Sequence, residues 1–148
     1  MKESTLLRIA RTSSVGKVSL QYGDELIKFN LTKEVKIDPE TIEDELLNQP
    51  TYYAFLIMLQ SKLIRKFKDQ EVEVRKIYAK LFEGNKDEGM ANDLAKETAI
   101  ANEKYTSAQK LLNEYEQNMN DIIGCVKSFE MRKDLLQTLS ANIRKERL

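Results

Sequence analysis

Seven cations crowd one short stretch of the chain: Lys62, Arg65, Lys66, Lys68, Arg75, Lys76 and Lys80, set against Asp69, Glu71 and Glu73. Lys and Arg grouped in this way can hold a nucleic-acid backbone by displacing its counterions, which requires charge but no reactive group. On a helical wheel Lys62, Arg65 and Lys66 share a face with Lys68 beside them, while Lys76 and Lys80 lie one turn apart with Arg75 adjacent. The bland alternative is an ordinary solvated helix face. Two smaller basic groups follow, Lys127, Arg132, Lys133 and Arg144, Lys145, Arg147. The last of these also suits the dipole at a helix end. Outside the apolar seams, the rings that could stack on bases are Tyr52, Phe55 and Tyr78.

Other chemistries lack their residues. There is no His, so the commonest general base and nitrogen ligand are missing. Cys125 has no second Cys and no His with which to build a disulfide or a zinc site. Beside Ile123 and Val126 it reads as a small packed residue. No Gly-rich loop ends in Lys followed by Ser or Thr, which excludes a P-loop. The carboxylates sit among cations on solvated faces, with nothing to separate the pKa values of any pair. The expectation is a protein that is not an enzyme and uses no metal or cofactor. Lys plus Arg and Asp plus Glu both number 24, so only the distribution of charge, not its total, argues for nucleic acid.

These residues must be positioned by helices. Every seventh residue from Leu94 is apolar: Leu94, Ala101, Ala108, Tyr115, Ile122, Phe129, Leu136 and Ile143. A companion stripe runs Thr98, Tyr105, Leu112, Met119, Val126, then gives way to Lys133 and Ser140. The heptads predict one helix from Leu94 to Ile143 packed along its length, a rod of roughly 75 Å at 1.5 Å per residue. A second heptad helix is expected over Thr51–Phe82, with Tyr53, Gln60, Phe67, Val74, Leu81 on one stripe and Leu56, Leu63, Gln70, Ile77 on the other. Its length is about 48 Å. The polar turn Glu83–Gly89 joins the two as an antiparallel helical hairpin. The unequal lengths leave about 25 Å of the longer helix to be covered by something else, which predicts an oligomer.

Upstream, Gln49-Pro50 is expected to end a short acidic helix, Pro39–Asn48, capped by Asp38. Its carboxylates suit the helix dipole, and a docking surface for a basic partner is the alternative. Val35-Lys36-Ile37 reads as a short extended piece. Val18, Leu20, Tyr22 and Ile27, Phe29, Leu31 alternate around Gly23-Asp24, which predicts a β-hairpin with strands Lys17–Tyr22 and Glu25–Leu31 and a type II′ turn. Residues Met1–Ser14 read as a loose basic arm. The organisation expected is therefore an arm and hairpin over residues 1–34, and a helical unit over 35–148. The fold class is mainly α. The longest apolar run, Ala54–Leu59, is too short to span a bilayer, the N-terminus lacks the apolar core of a signal peptide, and a single Cys suits a reducing cytoplasm.

The order of parts resembles the UvsY-like phage recombination mediators. The resemblance spans about Val35 to Arg144. It is carried by the Ile37-Asp38 entry, the basic helix ending in Leu81-Phe82-Glu83-Gly84, and the closing pattern Phe129, Arg132, Lys133, Leu135, Leu136, Leu139, Asn142-Ile143-Arg144. The N-terminal hairpin is not part of that pattern. The resemblance implies a ring-forming homo-oligomer that binds single-stranded DNA without sequence preference. It also implies help in loading a RecA-like recombinase onto strands coated by single-strand-binding protein, in the host cytoplasm. It puts DNA contacts on Arg75 and Lys76, with Lys80 nearby, and oligomerisation on Phe129, Leu136, Leu139 and Ile143. Lys62, Arg65, Lys66 and Lys68 join the DNA set through charge clustering alone. The alternative is a structural or assembly protein, such as a phage virion component, scaffold or prefoldin-like chaperone, with no nucleic-acid role.

Overall fold

A computed structural model describes residues 17–22 and 24–147 of the chain. The loose arm expected over Met1–Ser14 and the backbone of Gly23 lie outside these residues. The order of elements is β1 (Lys17–Tyr22), β2 (Glu25–Asn30), α1 (Leu31–Glu34), α2 (Ile42–Asp87), α3 (Asn92–Ala101) and α4 (Glu103–Glu146). The mainly helical fold with one small antiparallel hairpin matches the sequence reading. The chain packs as two compact units: residues 17–58 with 121–147, and Leu59–Asn120. The division cuts through both long helices.

In the first unit β1 and β2 pair antiparallel, with Leu20 opposite Ile27 and Tyr22 opposite Glu25. Alternation puts Val18 and Leu20 inside and leaves Lys17 and Ser19 in solvent. The helical core beside them is Ile42 and Leu56 from α2 with Ile122, Cys125, Val126, Phe129 and Leu136 from α4. In the second unit Leu59, Leu63 and Val74 of α2 are buried along with Ala95 and Ala99 of α3 and Ala108 of α4. Gln70 donates to the Ala108 carbonyl at 3.1 Å, so the polar residue on this seam holds a register.

Three expectations are corrected. Pro50 does not end a helix: α2 runs unbroken through it from Ile42 to Asp87. Proline lacks an N–H and crowds the preceding turn, but Ile42, Gln49 and Leu56 are buried on either side and hold the backbone helical. The acidic segment is thus the first turns of α2. The helix starts later than Pro39, after a turn in which Asp38 accepts the Glu40 N–H at 3.0 Å. Second, the helix expected to end at Phe82 runs on to Asp87, through most of the expected Glu83–Gly89 turn, and is closed by Gly89. With φ +86° it allows the Met90 N–H to reach the Asn85 carbonyl and its own N–H to reach that of Lys86, a Schellman closure. Third, the rod expected from Leu94 breaks at Asn102, whose backbone is extended. Its side chain accepts the Lys104 N–H at 2.9 Å and so starts α4 afresh. Across the break the buried stripe changes phase. Ala95 and Ala99 are covered, whereas Leu94 and Ala101 face solvent.

Candidate nucleic-acid interface

All seven candidate DNA-binding residues lie in the second unit on α2, and all are exposed. The helix is continuous there, so their faces follow from 100° per residue. Lys62, Arg65, Lys66, Lys76 and Lys80 share one flank of the buried Leu63–Val74 seam; Lys68 and Arg75 fall on the other flank. Arg75 and Lys76, adjacent in sequence, therefore diverge. Asp69 and Glu73 sit in the middle of the five-cation flank. Arg65 pairs with Asp69 at 3.9 Å with both side chains solvated, a contact of little energetic consequence. The Lys66 ammonium lies over the Tyr115 ring at 4.9 Å, which steadies it beside α4. Tyr78 is occupied by its neighbours: it stacks on Phe82 and meets Tyr105 edge-on. It is therefore a packing residue of the seam.

The first unit reassigns Arg132. It is not one of a solvated basic group. It is 8% exposed and lies between α4 and the start of α2. Its guanidinium donates to Glu45, to Gln49 Oε1 at 2.7 Å and to the Lys36 carbonyl at 3.3 Å. Gln49, also buried, donates in turn to the Phe129 carbonyl at 3.0 Å. Glu45 accepts Thr41 Oγ1 at 3.1 Å as well. The sequence carries a signal for this: Arg132 falls three residues after Phe129 and four before Leu136, on the buried stripe, and Glu45 and Gln49 are one turn apart. Nearby, the Tyr53 hydroxyl donates to Glu130 at 2.6 Å. That bond, then burial and the carboxylate charge, raise the Tyr53 pKa above its usual value. Cys125 is fully buried. Desolvation, then the charge of Asp121, pushes its thiol from 9.0 up to about 11, which makes it a packed side chain and not a nucleophile at neutral pH.

The residues assigned to oligomerisation divide. Phe129 and Leu136 are buried in the chain's own first unit, and Phe129 stacks against Tyr52 with 5.7 Å between ring centroids. Ile143 is half-buried, while Leu139 is exposed and continues an open stripe with Met131 and Leu135 on α4. Leu47, Ala54 and Met58 form a similar exposed stripe on α2.

Among the described residues no group of three His, Cys, Asp or Glu is arranged to hold a metal ion, and no helix is long and apolar enough to cross a membrane. No protein-family model, curated protein or solved structure matches the chain, so what it resembles rests on its own residues.

Proposed function

We propose that the chain is a recombination mediator: a homo-oligomer that binds single-stranded DNA through its backbone and assists transfer of the strand from single-strand-binding protein to a RecA-like recombinase. The observation that carries the reading is the set of seven exposed cations between Lys62 and Lys80 of α2, five of them on one flank. The order of parts shared with UvsY-like mediators supports the same role. Asp69 and Glu73 weaken the flank of a single protomer, so binding depends on several protomers presenting it together. That is how a modest patch accumulates enough phosphate contacts to matter.

The test is titration of a fluorescent single-stranded oligonucleotide at several salt concentrations. Wild type should bind at physiological salt, with affinity falling steeply as salt rises. Replacing Arg75, Lys76 and Lys80 by Ala should flatten the slope of log affinity against log salt by about one for each phosphate that is no longer neutralised. Salt-independent binding, or none, would overturn the proposal.

A second reading has its own observation. The two uncovered apolar stripes, Leu47–Met58 on α2 and Met131–Leu139 on α4, are what a structural or assembly protein needs. In that reading the cations serve only as a solvated face, and the same titration gives no binding.

A further inference from the structure

We infer that the first unit holds a separate stacking site for the bases of a single strand, built on Tyr52 and Phe55 and edged by Lys28, Lys33 and Lys36. The inference rests on the proposed single-strand binding and adds to it a site away from the basic stretch of α2.

Three observations carry it. Tyr52 and Phe55 are each 49% exposed, three residues apart on one side of α2, although rings of that size are ordinarily covered. Tyr52 is also held in place. One face of its ring stacks on the buried Phe129 at an interplanar angle of 8°, and its hydroxyl approaches Glu34 at 3.5 Å. A ring fixed on one face with half its surface in solvent is a preorganised platform for a planar π-system. Finally, there is room on either side of it. A cavity of about 240 Å³ lies between Ile27 and Lys28 of β2 and Phe55, and one of about 270 Å³ lies beside Lys33 and Lys36; Tyr52 and Phe129 line both.

The charges fit the occupant. Lys28, Lys33 and Lys36 are exposed at the margins and make no salt bridge to a described residue. Of the carboxylates that line the cavities, Glu45 is neutralised by Arg132, which leaves Glu34 as the one acid opposed to three lysines among the described residues. Stacked bases with phosphates at the rim satisfy both the rings and the lysines, and stacking of this kind tolerates any base.

The experiment compares binding of poly-dT and of an equally long oligonucleotide of abasic spacers to the full-length chain. The variants are wild type, Tyr52→Leu, Phe55→Leu, Tyr52→Phe and a Lys28→Ala/Lys33→Ala/Lys36→Ala triple. Each Leu variant should lose about tenfold in affinity for poly-dT, with an unchanged salt slope and unchanged binding to the spacer. Tyr52→Phe should retain affinity, and the triple should lower the salt slope for both ligands. Circular dichroism of each variant checks the fold. Should Tyr52→Leu unfold the first unit, photocrosslinking of 5-iodouracil DNA to wild type decides, with crosslinks at Tyr52 or Phe55 expected. If wild type binds poly-dT but neither Leu variant loses affinity, or the crosslinks map only to the second unit, this inference fails and the proposed function stands. If wild type binds neither ligand, both fail.

Discussion

Arg132 sets the terms at the scale of single residues. A guanidinium out of solvent costs several kcal/mol unless its donors are used. Here they go to Glu45, Gln49 and the Lys36 carbonyl, while Nε is buried without a partner among the described residues. An apolar cluster of the same volume would hold these segments at least as tightly. What the polar set adds is register, because Gln49 can satisfy both Arg132 and the Phe129 carbonyl in only one setting of α2 against α4. Arg132→Ala should destabilise the chain by about 3 kcal/mol, since it strands Glu45 and Gln49. Arg132→Lys should recover only part of this, because an ammonium cannot fork between two acceptors. Urea unfolding followed by circular dichroism measures both, and equal stability of all three proteins would remove the register role.

Pro50 and Asn102 are the instructive positions at the scale of elements. Helical periodicity marks the existence of both long helices, and period-two alternation marks the hairpin, because each follows from a repeat of apolar residues. The breaks are what periodicity misplaces. Proline is a strong helix breaker by local sterics, yet tertiary burial of Ile42, Gln49 and Leu56 overrides it. Asn102 is a weak local signal, yet its side chain takes the Lys104 N–H and interrupts a run of perfect heptads. The proposed stacking residues Tyr52 and Phe55 are visible in the sequence as candidates. Their neighbours on β2, in α1 and just after it are not, because those contacts are remote in sequence. If packing alone keeps α2 continuous at Pro50, the proline still carries its local cost, and Pro50→Ala should stabilise the chain by about 2 kcal/mol. A urea midpoint unchanged or lowered in Pro50→Ala would mean that the proline shapes the helix instead of merely being tolerated.

At the scale of the whole molecule, the proposed self-association draws on only part of the residue set that the family resemblance implies, Leu139 and not Phe129 or Leu136. The unequal helix lengths read from sequence vanish once α2 begins at Ile42, because residues 42–58 cover the end of α4 within the first unit. Phe129 and Leu136 are spent on that internal core. What favours assembly is the set of side chains the fold leaves uncovered: Leu47 at 77% exposure, Met131 at 68% and Leu135 at 55%, with Met58 and Leu139 on the same stripes. Stripes one helical turn apart and open to water are suited to knobs-into-holes packing by another helix, and a second copy of this chain supplies two. The substitutions should then sort into two classes. Leu135→Glu with Leu139→Glu should lower the mass in solution from a multiple of 17.2 kDa toward that value, with little change in helicity. Leu136→Ala should instead cost about 3 kcal/mol of stability through the cavity it leaves, whatever the state of assembly. Light scattering coupled to size exclusion, with and without a single-stranded oligonucleotide, reads the first class, and thermal unfolding reads the second. A wild type that runs at 17.2 kDa under both conditions would leave the stripes without a second copy to meet. It would also confine DNA binding to the interrupted basic flank of one protomer, where Asp69 and Glu73 oppose it.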